Sequence, residues 1–524
     1  MIMELVLRPA VLAPIAALVA FFIHQIFAGP RLPKLPILGA KEGDWFPFYQ
    51  AAWRNSCNPK LALQLADKKY RDHAVLMPMI TATHMVLLPR SETQWVTDQP
   101  DTVLNMHAQV MENFQTDYTS PDPSLVHKPV HHKLITTTLT SQIGNLVPDV
   151  AEETAWGFEK HWGNSHEYQE VCVFDTMRRI VGSVTNRVFV GKPKCRDPAL
   201  LTEGMGYARD LPKASVALRM LPTLLRPLAG LFITLPIRLR LRRFEALLLP
   251  EIEKRLADYD ARQRNPKPTR SPDPEPEPND FLQWLIKQAK DSGDPFLWKP
   301  KTLAGRILLL NFAAIHTTSF SITSAILELA ASRQEYIDEL RAEIESVLAE
   351  HGGTWNKRAL AGMQKLDSVL RESARINSFV TVGLSRQVVA KDGVVTPSGV
   401  RIPRGMTVSV PSYPVFWDDD VYPSADEFRP FRFAEQRADG SVEYVKRAAK
   451  AFASTSTEYL AFGHGRNACP GRFFAANELK LILAHLVLNY DIELGGSRPR
   501  DAWFSLIRVP PLRATIRIRK RLRS

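Results

Sequence analysis

From Leu303 to Ala331 the chain is apolar on most helical faces, with no proline and no glycine after Gly305. At 1.5 Å per residue this predicts a helix about 40 Å long. A helix so evenly apolar belongs at the centre of a large domain, because no face of it suits water. Near its middle, Phe312-Ala-Ala-Ile-His-Thr-Thr-Ser-Phe320 breaks the apolar pattern with four polar side chains in a row. Buried hydroxyls need partners, and a threonine can return its bond to the carbonyl four residues back, bending the helix. The expectation is a mainly helical core with a groove, and a hydroxyl in that groove.

The chain has 524 residues, with 45% hydrophobic and 23% charged. That length allows about three domains on average, although single large helical enzymes reach it too. The composition is that of a globular chain. Net charge is +12, and the basic residues cluster at 218–243 and in the tail 517–523. Such clusters suit an anionic membrane surface or an acidic protein; no nucleic-acid module surrounds them, so nucleic acid is not an expected partner. The four cysteines, Cys57, Cys172, Cys195 and Cys469, show neither metal-clip spacing nor a disulfide framework. No Asn-x-Ser/Thr site occurs, which is compatible with a catalytic part on the reducing, cytosolic side.

One cysteine lies in distinctive surroundings. Tyr459-Leu-Ala-Phe-Gly-His-Gly-Arg-Asn-Ala-Cys-Pro-Gly-Arg472 is a short apolar run, then a glycine-rich turn, and an amphipathic helical pattern follows at once. Gly463, Gly465 and Gly471 are expected to let the backbone take positive φ and approach a flat ligand closely. Cys469 would lie at a helix start, where unpaired N–H groups and the helix dipole favour an anionic sulfur. Two other readings apply to these residues. Gly463, Gly465 and Ala468 fit the dinucleotide pattern Gly-x-Gly-x-x-Ala, which needs a βαβ unit, and a lone cysteine is usually an inert core residue.

The loop resembles the haem-ligand segment of the cytochrome P-450 superfamily, Phe-x-x-Gly-x-Arg-x-Cys-x-Gly, matched by Phe462, Gly465, Cys469 and Gly471. The family's arginine two residues before the cysteine is Asn467 here, with Arg466 adjacent. The mid-helix break is similar to the family's oxygen-binding motif: Ala313 and Ala314 hold the small positions and Thr317 the threonine, while His316 replaces the usual acid. Glu372 and Arg375, three apart on one helical face, resemble the Glu-x-x-Arg pair. Arg432, in Phe428-Arg-Pro-Phe-Arg-Phe433, would complete a structural Glu-Arg-Arg triad beneath the loop. Lys128 and His132 stand at the two positions of a propionate-contacting Trp-x-x-x-Arg/His element, a segment that reads equally as a solvated basic helix face. The resemblance covers residues 30 to 520. Its fine sequence, such as Asn279-Asp-Phe-Leu-Gln-Trp-Leu-Ile286, is similar to filamentous-fungal biosynthetic members.

The resemblance implies a mainly α fold with a small β part, holding haem b through a Cys469 thiolate, with Phe462, Gly465, Gly471, Arg466, Arg386, His132 and Lys128 around the porphyrin. It implies catalytic roles for Thr317 and His316, the latter titrating near neutrality as a proton relay or else serving as a core histidine. Phe312, Ala313, Val380 and Val382 would face substrate, with a last contact near the turn Val509-Pro-Pro511. The implied activity is insertion of one oxygen atom of O2 into a lipophilic small molecule, a terpenoid or related secondary metabolite. Electrons would come from a separate NADPH-cytochrome reductase, received by Lys128, Lys133, Arg466 and Arg472. Alternatives are a haem-thiolate isomerase or peroxygenase, or a non-catalytic haem-binding sensor.

Residues 11–27 are nearly all apolar and approach the roughly 20 needed to span a bilayer. No small-x-small cleavage site follows; Pro30, Pro33 and Pro36 with Arg31 and Lys34 do. The expectation is an uncleaved single-pass anchor, residues 1–29, ahead of a catalytic domain, 30–524, on the cytosolic side of the endoplasmic reticulum. The Leu/Arg-rich stretch 218–243 is broken by prolines, which suits an interfacial segment with snorkelling arginines rather than a second span. Residues 265–279 read as a proline-rich linker.

Overall fold

The computed structural model describes residues 32–264 and 277–522. The expected anchor, most of the expected linker and the end of the basic tail lie outside these residues. The long helix runs from Pro300 to Ala331, with proline in its first turn, where the missing N–H is no loss. It packs against the helices Val173–Phe189, Pro198–Arg219, Leu235–Arg264, Gln364–Ile376 and Arg472–Asn489. Leu303, Ile307 and Leu308 toward one end, and Ile322, Ala325 and Ile326 toward the other, are fully enclosed. By length and composition this helix could also cross a bilayer, but it is the buried axis of the domain.

Polar groups on the axis are met within the core. Asn311 and Asn186 exchange amide hydrogen bonds: Asn186 Nδ2 donates to Asn311 Oδ1 at 2.7 Å, and Asn311 Nδ2 to Asn186 Oδ1 at 3.2 Å. Ser319 Oγ returns its proton to the Ile315 carbonyl at 2.6 Å. The same habit shapes the segment after Val130–Leu134. Thr137 Oγ1 donates to the Lys133 carbonyl and Thr140 Oγ1 to that of Ile135, and residues Ile135–Leu139 widen into a π turn before the helix Thr140–Trp162 resumes.

The largest sheet of the β part has five strands, ordered Val75–Met77, Met85–Leu87, Thr407–Val410, Gly383–Val388, Leu104–Asn105, and smaller sheets of two and three strands accompany it. Met85–Leu87 pairs parallel with Thr407–Val410, and the other pairs are antiparallel. Thr407–Val410 is buried along its whole length, so its residues do not alternate in and out of water. The polar interval 98–124 contains the helix Met106–Phe114. Its start is marked by Asn105, whose side chain accepts the Ala108 N–H at 2.8 Å, a cap that the polar composition disguised.

Two buried carboxyls are handled in opposite ways. Glu372 is fully enclosed and fully bonded: Arg375 donates Nε to Oε2 and Nη2 to Oε1, both at 2.8 Å, and Arg432 Nε donates to Oε1 at 3.0 Å. The guanidiniums spend their other protons on carbonyls, Arg375 on Phe416, Ala425 and Glu427, and Arg432 on Pro423 and Ser424. The fork-shaped bonds lock the segment 416–432 onto the helix Gln364–Ile376. Glu478 has one partner, Thr185 Oγ1 at 2.7 Å, and its Oε2 has none. Burial pushes its carboxyl up to about 8, so it sits protonated in the neutral core.

Removing the carboxylate from the triad leaves two enclosed guanidiniums without their anion. Glu372→Ala is therefore expected to lose roughly 3–5 kcal/mol of unfolding free energy, measured by denaturant melts. For Glu478, the unfolded chain releases its proton near the ordinary value of 4.5 while the folded chain holds it to about 8. Stability should therefore fall as pH rises between those values. Glu478→Gln is expected to flatten that fall, melting at or above the parent at pH above about 8 and closer to it in acid, as calorimetry across pH would record.

Candidate functional site

Cys469 sits two residues before Gly471, the N-cap of the helix Arg472–Asn489. Its own N–H donates to the Phe462 carbonyl at 2.8 Å, closing the turn back on the apolar run that leads into it. The N–H groups of Gly471 and Arg472 point at the sulfur, and the Arg472 guanidinium adds positive charge while donating to the Cys469 carbonyl at 2.9 Å. Burial still outweighs these donors and pushes the thiol above its ordinary value. The residue is nevertheless exposed. Its thiolate would be stable once a cation arrived to share its charge.

The glycines divide by role. Gly463 and Gly465 have φ of +68° and +70°, and a Cβ on Gly465 would lie 2.1 Å from Thr97 Cγ2. Both the left-handed backbone and the close approach to Thr97 require glycine there. Gly471 differs from expectation: its φ is −86° with open space where a Cβ would be, and what it contributes is its N–H toward the sulfur. Phe462 packs edge-on against Phe452 at 5.2 Å. The chain ahead of the loop is a series of turns, so the βαβ unit that a dinucleotide site needs is not formed here.

On the long helix, Thr317 Oγ1 donates to the Ala313 carbonyl at 2.8 Å, the i−4 return that the sequence suggested. Ala313 is exposed although both ends of the same helix are enclosed, so the small residues open the middle of the axis. His316 stacks parallel on Phe320 at 6.1 Å, and its Nδ1 has no hydrogen-bond partner. Burial, then the cations Arg178 and Arg209, hold its ring down at about 4. The expected near-neutral titration is thus replaced by an uncharged imidazole, and a relay through it has to run by exchange between neutral tautomers.

The structure redistributes the expected basic residues. Arg386, on the strand Gly383–Val388, is buried with a single hydrogen bond, Nη1 to its neighbour's carbonyl at 3.2 Å, and makes no ion pair among the described residues. Burial lowers its guanidinium, with Asp101 opposing and the like charge of Arg466 reinforcing. Arg466 itself is exposed and donates to the Gln99 carbonyl, tying the loop to the segment before the sheet. Lys128 is on the surface, paired with Asp294 at 3.2 Å, so its ammonium is already engaged. His132 is exposed, whereas its neighbour His131 is half-buried against Arg306, which donates Nη1 toward His131 Nδ1 at 3.2 Å. Burial first, and Arg306 next, bring His131 to about 4. Arg306 was not singled out from sequence, although one arginine inside Leu303-Ala-Gly-Arg-Ile-Leu-Leu was a visible signal.

A cavity of about 300 Å³ opens between the helices Met106–Phe114 and Pro198–Arg219 and the segment 379–385; no residue of the long helix lines it, so Phe312 and Ala313 do not face it as expected. Val380 and Val382 line it, as do Phe114, Phe379 and the hairpin residues Phe504–Ile507, which take the place expected for the turn at Val509. Phe312 forms the wall behind, edge-on to Phe114 at 5.1 Å. Thr381 Oγ1 donates to the Leu506 carbonyl, and Val380 bridges Ile507, so this hairpin is fastened to the cavity floor.

Tested against a haem, these residues fit. A soft thiolate donor backed by amide N–H groups suits an iron, Gly465 lets the loop close on Thr97, and Arg386 is a buried cation short of acceptors, as a propionate requires.

Comparison with known proteins agrees with this geometry. The sequence profile of the family Cytochrome P450 matches residues 45–516. The chain is 34% identical to Cytochrome P450 monooxygenase 103 of Postia placenta, over 95% of this chain and 94% of that one. It is 32% identical to Cytochrome P450 monooxygenase gloP of Glarea lozoyensis, covering 87% and 85%. Among solved structures it is similar to retinoic acid-bound cyanobacterial CYP120A1, with a TM-score of 0.65 and 20% identity, covering 93% of this chain and all of that one.

Proposed function

The chain belongs to the cytochrome P450 family of haem-thiolate monooxygenases, and from that premise we propose that Cys469 would hold the haem iron through its thiolate, that Thr317 supplies the hydroxyl for proton delivery, and that the cavity lined by Val380 is the substrate site. Members of the family use dioxygen, a redox partner and lipophilic substrates. When bound, the haem supplies reductive activation of dioxygen: one oxygen atom enters the substrate, the other leaves as water, and two electrons and two protons are consumed. The observation that carries the assignment is the accessible, N–H-backed sulfur of Cys469 at the start of a buried helix.

This chain's residues then have separable tasks. Gly471 and Arg472 aim N–H bonds at the sulfur and so set how much charge it donates. Arg386 would hold a propionate. Thr317 keeps its proton on the Ala313 carbonyl, leaving its lone pairs toward the opening that Ala313 makes, where they can accept and pass a proton. Phe114, Phe312 and Phe379 exclude water from the substrate side. The apolar lining suits a terpenoid or related secondary metabolite, in keeping with relatives from fungi. The triad Glu372, Arg375 and Arg432 holds the segment beneath the loop and takes no part in the chemistry.

We assign the redox partner as an NADPH-cytochrome reductase. The exposed Lys133 and Arg466 offer its acidic face a landing site near the thiolate; Lys128 contributes less because Asp294 already neutralises it. The catalytic domain, from residue 30, rests on the cytosolic face of the endoplasmic reticulum behind an anchor in residues 1–29. Leu224, Leu228 and Phe232, each well over half exposed on and beside the helix Arg226–Ile233, form a greasy surface suited to membrane lipid.

The reduced, carbon monoxide-bound protein is expected to show the red-shifted band of thiolate-ligated haem, and Cys469→Ser to lose it. An imidazole-type spectrum in the parent, or an unchanged band in the variant, would overturn the assignment. Turnover should require reductase, NADPH and dioxygen; product formed from peroxide alone would favour a peroxygenase, and no substrate-coupled NADPH use a sensor.

A further inference from the structure

The cavity is apolar on most sides, yet one of its residues is a cation without an anion. Arg219 closes the helix Pro198–Arg219 and lines the cavity beside Phe114 and Val216. A guanidinium has five N–H donors. Arg219 uses Nη2 on the Thr81 carbonyl at 3.0 Å and Nη1 on Asn113 Oδ1 at 3.3 Å, and its Nε is enclosed with no partner. No carboxylate lies within ion-pair distance of it among the described residues; the adjacent acid, Glu112, is committed to Arg226 at 3.5 Å. Burial accordingly makes the charge on Arg219 costly.

Its neighbour points the same way. Asn113 Oδ1 accepts from Arg219, from Gln109 Nε2 at 3.0 Å and from Thr83 Oγ1 at 3.3 Å. Gln109 is itself held by Thr407 Oγ1 at 2.6 Å, which fixes the direction of the chain of bonds. The carboxamide is therefore turned with its NH2 away from these donors, and that group has no hydrogen-bond acceptor among the described residues. Two adjacent donors, one charged, border an apolar space. A hydrocarbon there would leave both unpaired, and a neutral hydroxyl would leave the charge uncompensated; a carboxylate satisfies both.

We propose that Arg219, assisted by Asn113, is the specificity-determining residue of the cavity and that the substrate is a lipophilic carboxylic acid. This rests on the monooxygenase reading above and narrows its substrate class. A purely structural Arg219, tying the segment at Thr81 to the helix Met106–Phe114, would leave binding indifferent to a ligand's charge.

The experiment compares matched pairs on the full-length holoprotein: dodecanoic acid with its methyl ester, and abietic acid with its methyl ester. Binding is read from the ligand-induced change in haem absorption and, independently, from ligand-dependent thermal shift. At near-neutral pH at least one acid should bind about tenfold or more tighter than its ester, the ratio expected from one charge-assisted contact. Arg219→Gln should abolish that preference while leaving ester affinity within about twofold, and Arg219→Lys should retain part of it. Equal or weaker binding of the acids, binding of neither member of either pair, or a preference surviving in Arg219→Gln overturns the proposal. Should the Gln variant fail to hold haem, the parent's acid-to-ester ratio and the Lys variant decide. A normal carbon monoxide band without acid preference defeats the carboxylate proposal alone, whereas loss of that band in the parent defeats the monooxygenase reading beneath it.

Discussion

The sulfur of Cys469 is pulled two ways, and the architecture around it follows from that tension. Burial favours the neutral thiol, while the N–H groups of Gly471 and Arg472 and the Arg472 guanidinium favour the anion. Within the protein alone burial prevails. A metal cation reverses the balance, because the amide donors are already aimed and cost no reorganisation when charge arrives. Everything nearby preserves that aim: the bond from the Cys469 N–H to Phe462, the left-handed glycines, and the tie from Arg466 to Gln99.

Such a loop needs a rigid floor, and the buried ionic groups supply it where they are saturated. Glu372 has two guanidiniums on its oxygens, and the guanidiniums have carbonyls on the rest, so the cluster resists rearrangement as a unit. Arg386 and Arg219 are different in kind. Both are cations held in place by carbonyl or amide bonds, with no ion pair among the described residues. A saturated cluster has no donor left over, whereas a cation without an ion pair keeps its charge available to an anion from outside the chain.

Much of the site could be read residue by residue. Thr317 returns its hydroxyl to Ala313 as the mid-helix break suggested, and Gly463 and Gly465 have the positive φ expected of them. Where the reading went astray, the reason was environment rather than identity. Gly471 was grouped with its neighbours by composition, but its place as an N-cap makes its N–H the working part. Of the two readings of His316, relay near neutrality or core histidine, burial beside Arg178 and Arg209 removes the near-neutral titration. Lys128 was placed by alignment of spacing, and an aspartate distant in sequence, Asp294, engages it.

By itself the order of residues determined the helical axis, the thiolate turn at a helix start, and the Glu-x-x-Arg pair. Each depends on contacts within a few positions, where helical period and backbone freedom set what meets what. Which charges find partners was decided only by the tertiary structure. Arg432 reaches Glu372 across 60 residues, whereas Arg219 and Arg386 come to rest among carbonyls and apolar walls with no ion pair among the described residues. Desolvation and pairing are properties of the packed interior, set by every element that surrounds a group, and no local stretch of sequence contains that sum.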